Sequence, residues 1–386
     1  MSAESSVVLK TRRPRLRSGN ARWAGLARTI GLYAGAIAVA FVLSALLVQL
    51  TGHSPSSTFT AMYQGSLQDG GALAQTIDEA VPLLVVALGT IIANRAGIFN
   101  IGQEGQLIFG AMIGAAVGLK APGPGWLAMI LTLLASAVGG AFWAGISAFL
   151  KYWRRVDVVI SSLLLTFVAF EVVSYAVTNP SLLRETKVGG SITASESNML
   201  PPGAQLPRLG SPPDFNLSLG FFLSIALAVL VVFLIRRTRW GFRLRLLGLN
   251  PTVAHRTGVS EWRTGTTALL LGGAFAGLAG GIVLTGQVFR IQAGFSNNVG
   301  YEGLLVALVA QGNGLVAIPV AFFFGALRSG GGFLATTGVP RYLVDVVQAL
   351  LVLAAVFPPA WQMLRKRRHA AQAPEPVAPA TGEAAA

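Results

Sequence analysis

The sequence predicts an all-α polytopic membrane protein with about ten transmembrane helices. Of its 386 residues, 53% are hydrophobic and 11% are charged, whereas roughly 25% of the residues in a soluble domain are charged. Long apolar runs recur along the chain, and Lys and Arg residues lie between those runs. Because so few charged side chains cannot cover a water-exposed surface, we expect the apolar runs to lie in a bilayer.

Apolar windows long enough to cross a hydrocarbon core of about 30 Å define the expected spans. The continuous windows are residues 30–50, 73–93, 104–119, 126–150, 158–178, 217–235, 266–287 and 341–361. Before the last window, residues 300–310 and 315–327 form two shorter apolar pieces separated by the polar residues 311–314. Counted as one crossing these pieces give nine spans, and counted as two they give ten.

The distribution of basic residues favours ten spans, because cytoplasmic loops carry an excess of Lys and Arg. Ten spans place 22 of the 29 basic residues inside: 7 before the first span, Arg95, 3 in residues 151–157, 7 in residues 236–263 and 4 in residues 365–368. Both termini would then be cytoplasmic. The expected organisation is a basic N-terminal segment at 1–29, a transmembrane domain at 30–361 and a disordered basic tail at 362–386.

Composition also excludes several kinds of chemistry. The chain has no Cys, and its three His residues are scattered, so neither a disulfide nor a metal site is expected. No phosphate-binding G-x-x-x-x-G-K-[ST] motif occurs, so any ATP hydrolysis must come from a partner. The basic residues flank apolar runs, which indicates membrane orientation rather than nucleic-acid binding. We therefore expect no cofactor, a lipid environment and no nucleic-acid partner.

A short internal repeat indicates the architecture. Residues 102–107 and 300–305 share the pattern G-x-E-G-x-L, and each copy opens a short apolar helix. With ten spans, the first helix runs outward and the second runs inward. This predicts two four-helix repeats of inverted topology, with a pathway at their interface.

The polar segment 94–106 interrupts the apolar pattern and is the first candidate site. Its Asn100, Gln103, Glu104 and Gln106 side chains, together with Glu302 of the second repeat, are expected to line a substrate pathway. The alternative is a tight cytoplasmic turn in which Asn100 caps the next helix. We expect the two glutamates to accept hydrogen bonds from helix N-terminal amides.

Other carboxylates inside the expected spans leave a second function open. Glu171, Glu302 and Asp345 lie on separate apolar runs. Glu171 and Asp345 could each form a structural hydrogen bond to a neighbouring helix, or the three carboxylates together could form the proton relay of a secondary transporter. A polytopic membrane enzyme is a third possibility, although no catalytic cluster is evident near a membrane face.

The loop at residues 236–264 is the second candidate site, because residues 240–259 are typical of a short cytoplasmic helix. Asn250 suits the N-cap, Pro251 the first turn and Gly258 the stop. Such a helix would fit a groove on an ATPase subunit, and the residues expected to make this contact are Gly248, Asn250, Pro251, Ala254 and Gly258. The alternative is an ordinary amphipathic surface helix. The long outer loop 179–215, with six prolines, is expected to be a docking surface.

Three of these stretches resemble the permease subunits of bacterial ABC importers for nucleosides, within the branched-chain amino acid and ribose permease superfamily. They are residues 94–106, 248–251 and 300–308. The sequence departs from the family pattern at Val253, where a second Ala is usual, and at Asp157 and Val158, where Asn-Glu-Val is frequent.

The resemblance implies a permease domain at residues 30–361 in the bacterial inner membrane. It further implies cytoplasmic ABC ATPase subunits, a second permease subunit and an extracytoplasmic substrate-binding lipoprotein. The expected function is inward transport of a nucleoside or related ribose-containing solute, powered by the separate ATPase.

Overall fold

The computed structural model describes residues 19–50, 52, 54–186, 194–210 and 215–336, and scattered residues between 346 and 361. Residues 1–18, the tail 362–386 and Asp345 lie outside the described residues, as does most of the expected span at 341–361. The described part is mainly helical, in agreement with the expected all-α class. Two short strands, β1 (Arg208–Leu209) and β2 (Leu217–Ser218), form an antiparallel pair between the sixth and seventh helices of the described chain, Val158–Thr178 and Gly220–Arg237.

Twelve helices follow one another along the described chain. They are α1 Gly19–Leu50, α2 Pro55–Ser66, α3 Gly70–Arg95, α4 Gln103–Gly118, α5 Gly125–Arg154, α6 Val158–Thr178, α7 Gly220–Arg237, α8 Arg239–Leu249, α9 Pro251–Arg256, α10 Glu261–Val283, α11 Val299–Val309 and α12 Gly314–Thr336. Two short helical turns add to them: Pro202–Ala204 between α6 and α7, and the π-helical Leu284–Val288, which continues α10.

Six of the described helices are long and apolar enough to cross a membrane: α3, α5, α6, α7, α10 with its π turn, and α12. The bent pair formed by residues 34–50 of α1 and by α2 would make a seventh if it is one span. By contrast, α4 has 16 residues and α11 has 11, so they are about 24 Å and 17 Å long. Each is therefore shorter than the hydrocarbon core of about 30 Å.

Two local expectations need correction. The loop expected to hold one short helix holds two, because Asn250 leaves the helical conformation and separates α8 from α9. The expected span 217–235 begins with strand β2 and becomes helical only at Gly220. Helix α2 was not expected from the sequence, since its Ser- and Thr-rich composition gives no apolar window.

The core is organised around α3. This helix is buried on all sides from Ala80 to Ala93, as expected for a helix surrounded by other helices. It packs against α7, α10, α11 and α12, while α4, α5 and α10 form a second tight group. In that group a side chain at Gly277 of α10 would overlap the backbone of α5 at Ser136, so the helices meet backbone to backbone.

Helix α3 also connects two faces of the molecule. In its first half, Asp78 forms an ion pair with Arg208 of the segment between α6 and α7, with 3.0 Å between Oδ2 and Nη2. At its end, Arg95 lies against Gly248 of α8. We call the side of the molecule that carries residues 194–210 the loop face, and the side that carries α8 and α9 the α8–α9 face.

Candidate functional site

The two copies of the G-x-E-G-x-L pattern meet in space. Helix α4 begins at Gln103 after the non-helical residues 96–102, and α11 begins at Val299 after the non-helical residues 289–298. A side chain on Gly300 would overlap the backbone of Glu104, so the two helix N-termini are in direct contact. We call this contact, formed by residues 100–106 and 296–302, the junction.

The carboxylate of Glu104 lies between the two helix starts. Its Oε2 atom accepts a hydrogen bond from the Gly300 amide at 2.6 Å, and its Oε1 atom accepts one from the Ser296 hydroxyl. Glu104 is fully buried. Each helix N-terminus carries about half a positive charge, so two adjacent N-termini repel each other. A carboxylate between them offsets that repulsion and bonds the first turn of α11.

An amide pair supports the same junction from the α4 side. Asn100 donates to the Gln106 side-chain oxygen at 3.1 Å, and Gln106 donates back to Asn100 at 3.4 Å. The Asn100 oxygen also accepts the Gly102 amide at 2.9 Å. Both side chains are about 1% exposed. Asn100 thus bonds the backbone just before α4, and Gln106 bonds the Asn100 side chain.

Gln103 differs from these residues. Its side chain is fully buried, yet neither its amide nitrogen nor its amide oxygen has a hydrogen-bond partner among the described residues. Leaving a buried amide unpaired is costly. Gln103 is therefore the junction residue with free capacity to bind another polar group.

Glu302 forms an ion pair with Arg328 of α12. The Glu302 Oε2 atom lies 3.1 Å from Nη1 of Arg328. The same guanidinium binds Glu79 of α3 through Nε at 2.9 Å and donates to the Asn297 carbonyl at 3.0 Å. Arg328 thus ties α3, α11 and α12 to the segment before α11. Sequence reasoning missed Glu79 and Arg328 in this role, although Arg328 is a single basic residue in a long apolar run.

The loop face holds the segment 289–298 in place. The Ser197 amide donates to the Ile291 carbonyl at 2.8 Å, and the Ile291 amide donates to the Ser197 hydroxyl at 2.9 Å. Glu196 and Arg290 form an ion pair beside these bonds. The segment between α6 and α7 therefore contacts the element that leads directly into α11.

The α8–α9 face touches the other element of the junction. A side chain at Gly248 would overlap the Arg95 carbonyl oxygen, and Gly97 lies close against Gly248. The Arg95 guanidinium also donates to the Gly312 carbonyl at 2.7 Å, beyond the end of α11. Movement at the end of α8 would therefore act directly on segment 96–102, which leads into Asn100 and Glu104.

Helix α9 has the expected local structure. The Asn250 side chain accepts the Val253 amide at 3.1 Å, Pro251 occupies the first turn, and Gly258 adopts a positive φ of 79° just after the helix. Ala254 is fully buried, so it faces the chain's own core. The large apolar side chains exposed here are Leu249, the last residue of α8, which is 85% exposed, and Val253 of α9, which is 43% exposed.

Comparison with known proteins identifies the class. Residues 72–356 match the family described as branched-chain amino acid transport system / permease component. The chain is 34% identical to the glucose ABC transporter permease protein of Haloferax volcanii over 302 residues, covering 78% of this chain and 80% of the relative. It is 30% identical to the guanosine ABC transporter permease protein of Bacillus subtilis over 321 residues, covering 82% of this chain and 90% of the relative.

A third relative, the nucleoside ABC transporter permease protein of Lactococcus lactis subsp. cremoris, is 24% identical over 322 residues, which are 82% of this chain and 88% of the relative. The resemblance to nucleoside-type importer permeases is thereby confirmed. Family membership also implies an ATPase and a substrate-binding protein as partners. The chain belongs to the branched-chain amino acid transport system permease family, and it is a multi-pass membrane subunit of an ABC importer rather than an enzyme.

Proposed function

We propose that this permease moves a nucleoside or related ribose-containing solute inward, and that it forms half of the membrane pathway together with a second permease. The observation that carries the mechanism is the continuous contact from α9 and α8, through Gly248 and segment 96–102, to the junction. An extracytoplasmic lipoprotein would deliver the solute. The relatives named for guanosine and nucleosides support this solute class. Glucose, named for another relative, resembles ribose because it too is a ring that carries neighbouring hydroxyl groups.

The proposed topology has ten spans in two inverted four-helix repeats, with both termini in the cytoplasm of a bacterial cell. Helix directions at the junction support it. The far end of α4 packs against Leu200 on the loop face, whereas α11 ends at the turn bonded by Arg95 on the α8–α9 face. The two copies of the repeated pattern therefore run in opposite directions. The proposed boundaries remain 1–29, 30–361 and 362–386.

In the proposed cycle, the ATPase subunits bind Leu249, Val253 and the exposed surface of α9. Closure of the ATPases around ATP would shift α8, whose end abuts Arg95 and Gly97. The shift passes through segment 96–102 to Glu104, which is bonded to α11. The permease itself would make and break no covalent bond; its contribution is to change which side of the membrane the pathway opens to.

The buried residues of the junction have two proposed roles. Asn100 bonds Gln106 and the Gly102 amide, and Glu104 bonds the start of α11. These bonds would keep the non-helical backbone in place beside the pathway. Gln103 would offer its unpaired amide to water or to another polar group when the backbone beside the pathway rearranges. Glu302 would hold α11 at the correct depth through Arg328.

The first prediction concerns Glu104. Glu104→Gln keeps the shape but removes one charge-assisted bond, which costs about 1.5–3 kcal/mol. We expect uptake to fall severalfold and the thermal unfolding midpoint to drop, while the protein still inserts. Ser296→Ala should act in the same direction and more weakly.

The effects of these two changes should be less than additive, because the side chains bond each other. Ser329→Ala is the matched control: that serine is equally buried but bonds Gly65 of α2, away from the junction. It should lower stability, and its effect should simply add to that of Glu104→Gln. If the Glu104→Gln variant showed wild-type uptake and stability, the proposed role of the Glu104 carboxylate would be wrong.

The second prediction concerns ATPase docking. Val253→Asp places a charge on the exposed side of α9 and should abolish co-purification of the ATPase while leaving the permease's unfolding midpoint unchanged. Ala254→Asp should instead lower the midpoint, because Ala254 is fully buried and an unpaired buried charge is costly. Val156→Asp, at an exposed position of the turn between α5 and α6, is the control. Equal loss of the ATPase from the Val156 and Val253 variants would contradict a specific role for α9.

The third prediction separates ATP-driven import from proton coupling. Proteoliposomes that contain the permease, its ATPase and its binding protein should take up guanosine when ATP is supplied, and an uncoupler should leave that uptake intact. A hydrolysis-deficient ATPase should abolish uptake. Uptake that collapses with the proton gradient despite ample ATP would instead support a relay through Glu171, Glu302 or Asp345.

A further inference from the structure

Helix α6 presents a carboxylate at the centre of its outward face. The exposed residues of α6 are Ile160, Leu164, Phe167, Val168, Glu171, Tyr175 and Thr178. Since successive helical residues advance by about 100°, these positions fall within an arc of about 100° with Glu171 near its middle. Glu171 therefore points directly away from the helix bundle. It was expected to bond a neighbouring helix, but among the described residues it has no hydrogen bond or ion pair.

The opposite face of α6 packs on the junction. Ser162 accepts the Ile101 amide at 3.2 Å, and Gly102 and Gly105 of the α4 start press against Ser162 and Thr166. Helix α6 thus separates Glu171 from the polar residues that hold α4. Because α6 is in direct contact with the junction, a shift of the junction would also move α6 and Glu171 with it.

The position of Glu171 within α6 makes exposure to lipid costly. It lies seven residues before the end of α6 at Thr178 and thirteen after its start at Val158, so it is about 10 Å from one end and about 20 Å from the other. A carboxylate within the hydrocarbon is costly and is normally found facing a water-filled cavity or another protein group. The exposed face of α6 therefore needs a polar occupant.

Aromatic rings flank the carboxylate. Phe167 and Tyr175 lie one turn before and one turn after Glu171 on the same face, and they are 58% and 62% exposed. The Tyr175 hydroxyl is held by the Asn179 amide at 2.8 Å. A carboxylate accepts hydrogen bonds from two neighbouring hydroxyl groups, and an aromatic face packs against the apolar side of a ring. This combination suits a neutral ring that carries neighbouring hydroxyls.

We propose that the α6 face centred on Glu171 lines the water-filled solute pathway, and that Glu171, Phe167 and Tyr175 contact the sugar ring of the solute. The assignment rests on the proposed import of a ribose-containing solute. It places the solute-contacting surface on α6, and the junction residues support that surface from behind.

Thiol labelling tests whether Glu171 faces water, and the absence of native Cys makes the readout clean. A Glu171→Cys variant in the assembled transporter should react fully with a charged, water-soluble thiol reagent. Leu134→Cys is the matched control: Leu134 is 58% exposed on α5 and lies nine residues from the end of α5 that touches Gly203 on the loop face. It should remain unmodified. If the Glu171 position is as unreactive as the Leu134 position, it faces lipid or a partner's side chain and the proposal is overturned.

Uptake tests the contact with solute. Glu171→Gln should reduce ATP-driven guanosine uptake about tenfold, since one charge-assisted hydrogen bond is lost, while ATPase co-purification stays normal. Leu134→Gln should leave uptake unchanged. Normal uptake in the Glu171→Gln variant would overturn the assignment of a solute contact. If the wild-type transporter failed to import guanosine, the proposed function would be contradicted instead. The labelling pattern would still report whether α6 faces water.

Discussion

One buried carboxylate connects the starts of two short helices in this permease. Glu104 bonds the Gly300 amide and the Ser296 hydroxyl at the point where α4 and α11 begin. Neither helix is long enough to cross the membrane by itself, so each must start inside the protein. Two helix starts in contact carry partial charges of the same sign. The carboxylate makes that arrangement stable, and the rest of the membrane domain is arranged to bury it.

The elements around the junction follow from that constraint. Helix α3, buried without a break from Ala80 to Ala93, provides a continuous span against which the short α11 packs. Arg328 fixes the side chain of Glu302 and the segment that precedes α11, and residues between α6 and α7 hold that segment from the other side. Segment 96–102 receives α8 at Gly248. Each half of the junction is thus in contact with one face of the molecule, the α11 side with the loop face and the α4 side with the α8–α9 face.

Patterns local in sequence predicted much of this architecture. The repeat at residues 102–107 and 300–305 predicted two helices opened by glutamates, and the Asn250, Pro251 and Gly258 signals predicted α9. Pairs of residues that are far apart in the chain leave no local pattern in the sequence. Arg328 and Glu79, for example, are 249 positions apart. Sequence also could not show that Ala254 faces inward or that Glu171 faces outward, because both depend on how neighbouring helices pack. The number of spans remains a prediction, since the structure describes little of residues 337–361.

The central claim is that Glu104 holds the starts of α4 and α11 together in the working transporter. An experimental map of the nucleotide-free permease–ATPase complex, at a resolution that shows side chains, tests it most directly. We expect the Glu104 carboxylate within hydrogen-bond distance of the Gly300 amide, with the end of α8 against Gly97. A map in which α11 begins away from Glu104, with that carboxylate facing solvent or another partner, would contradict the account.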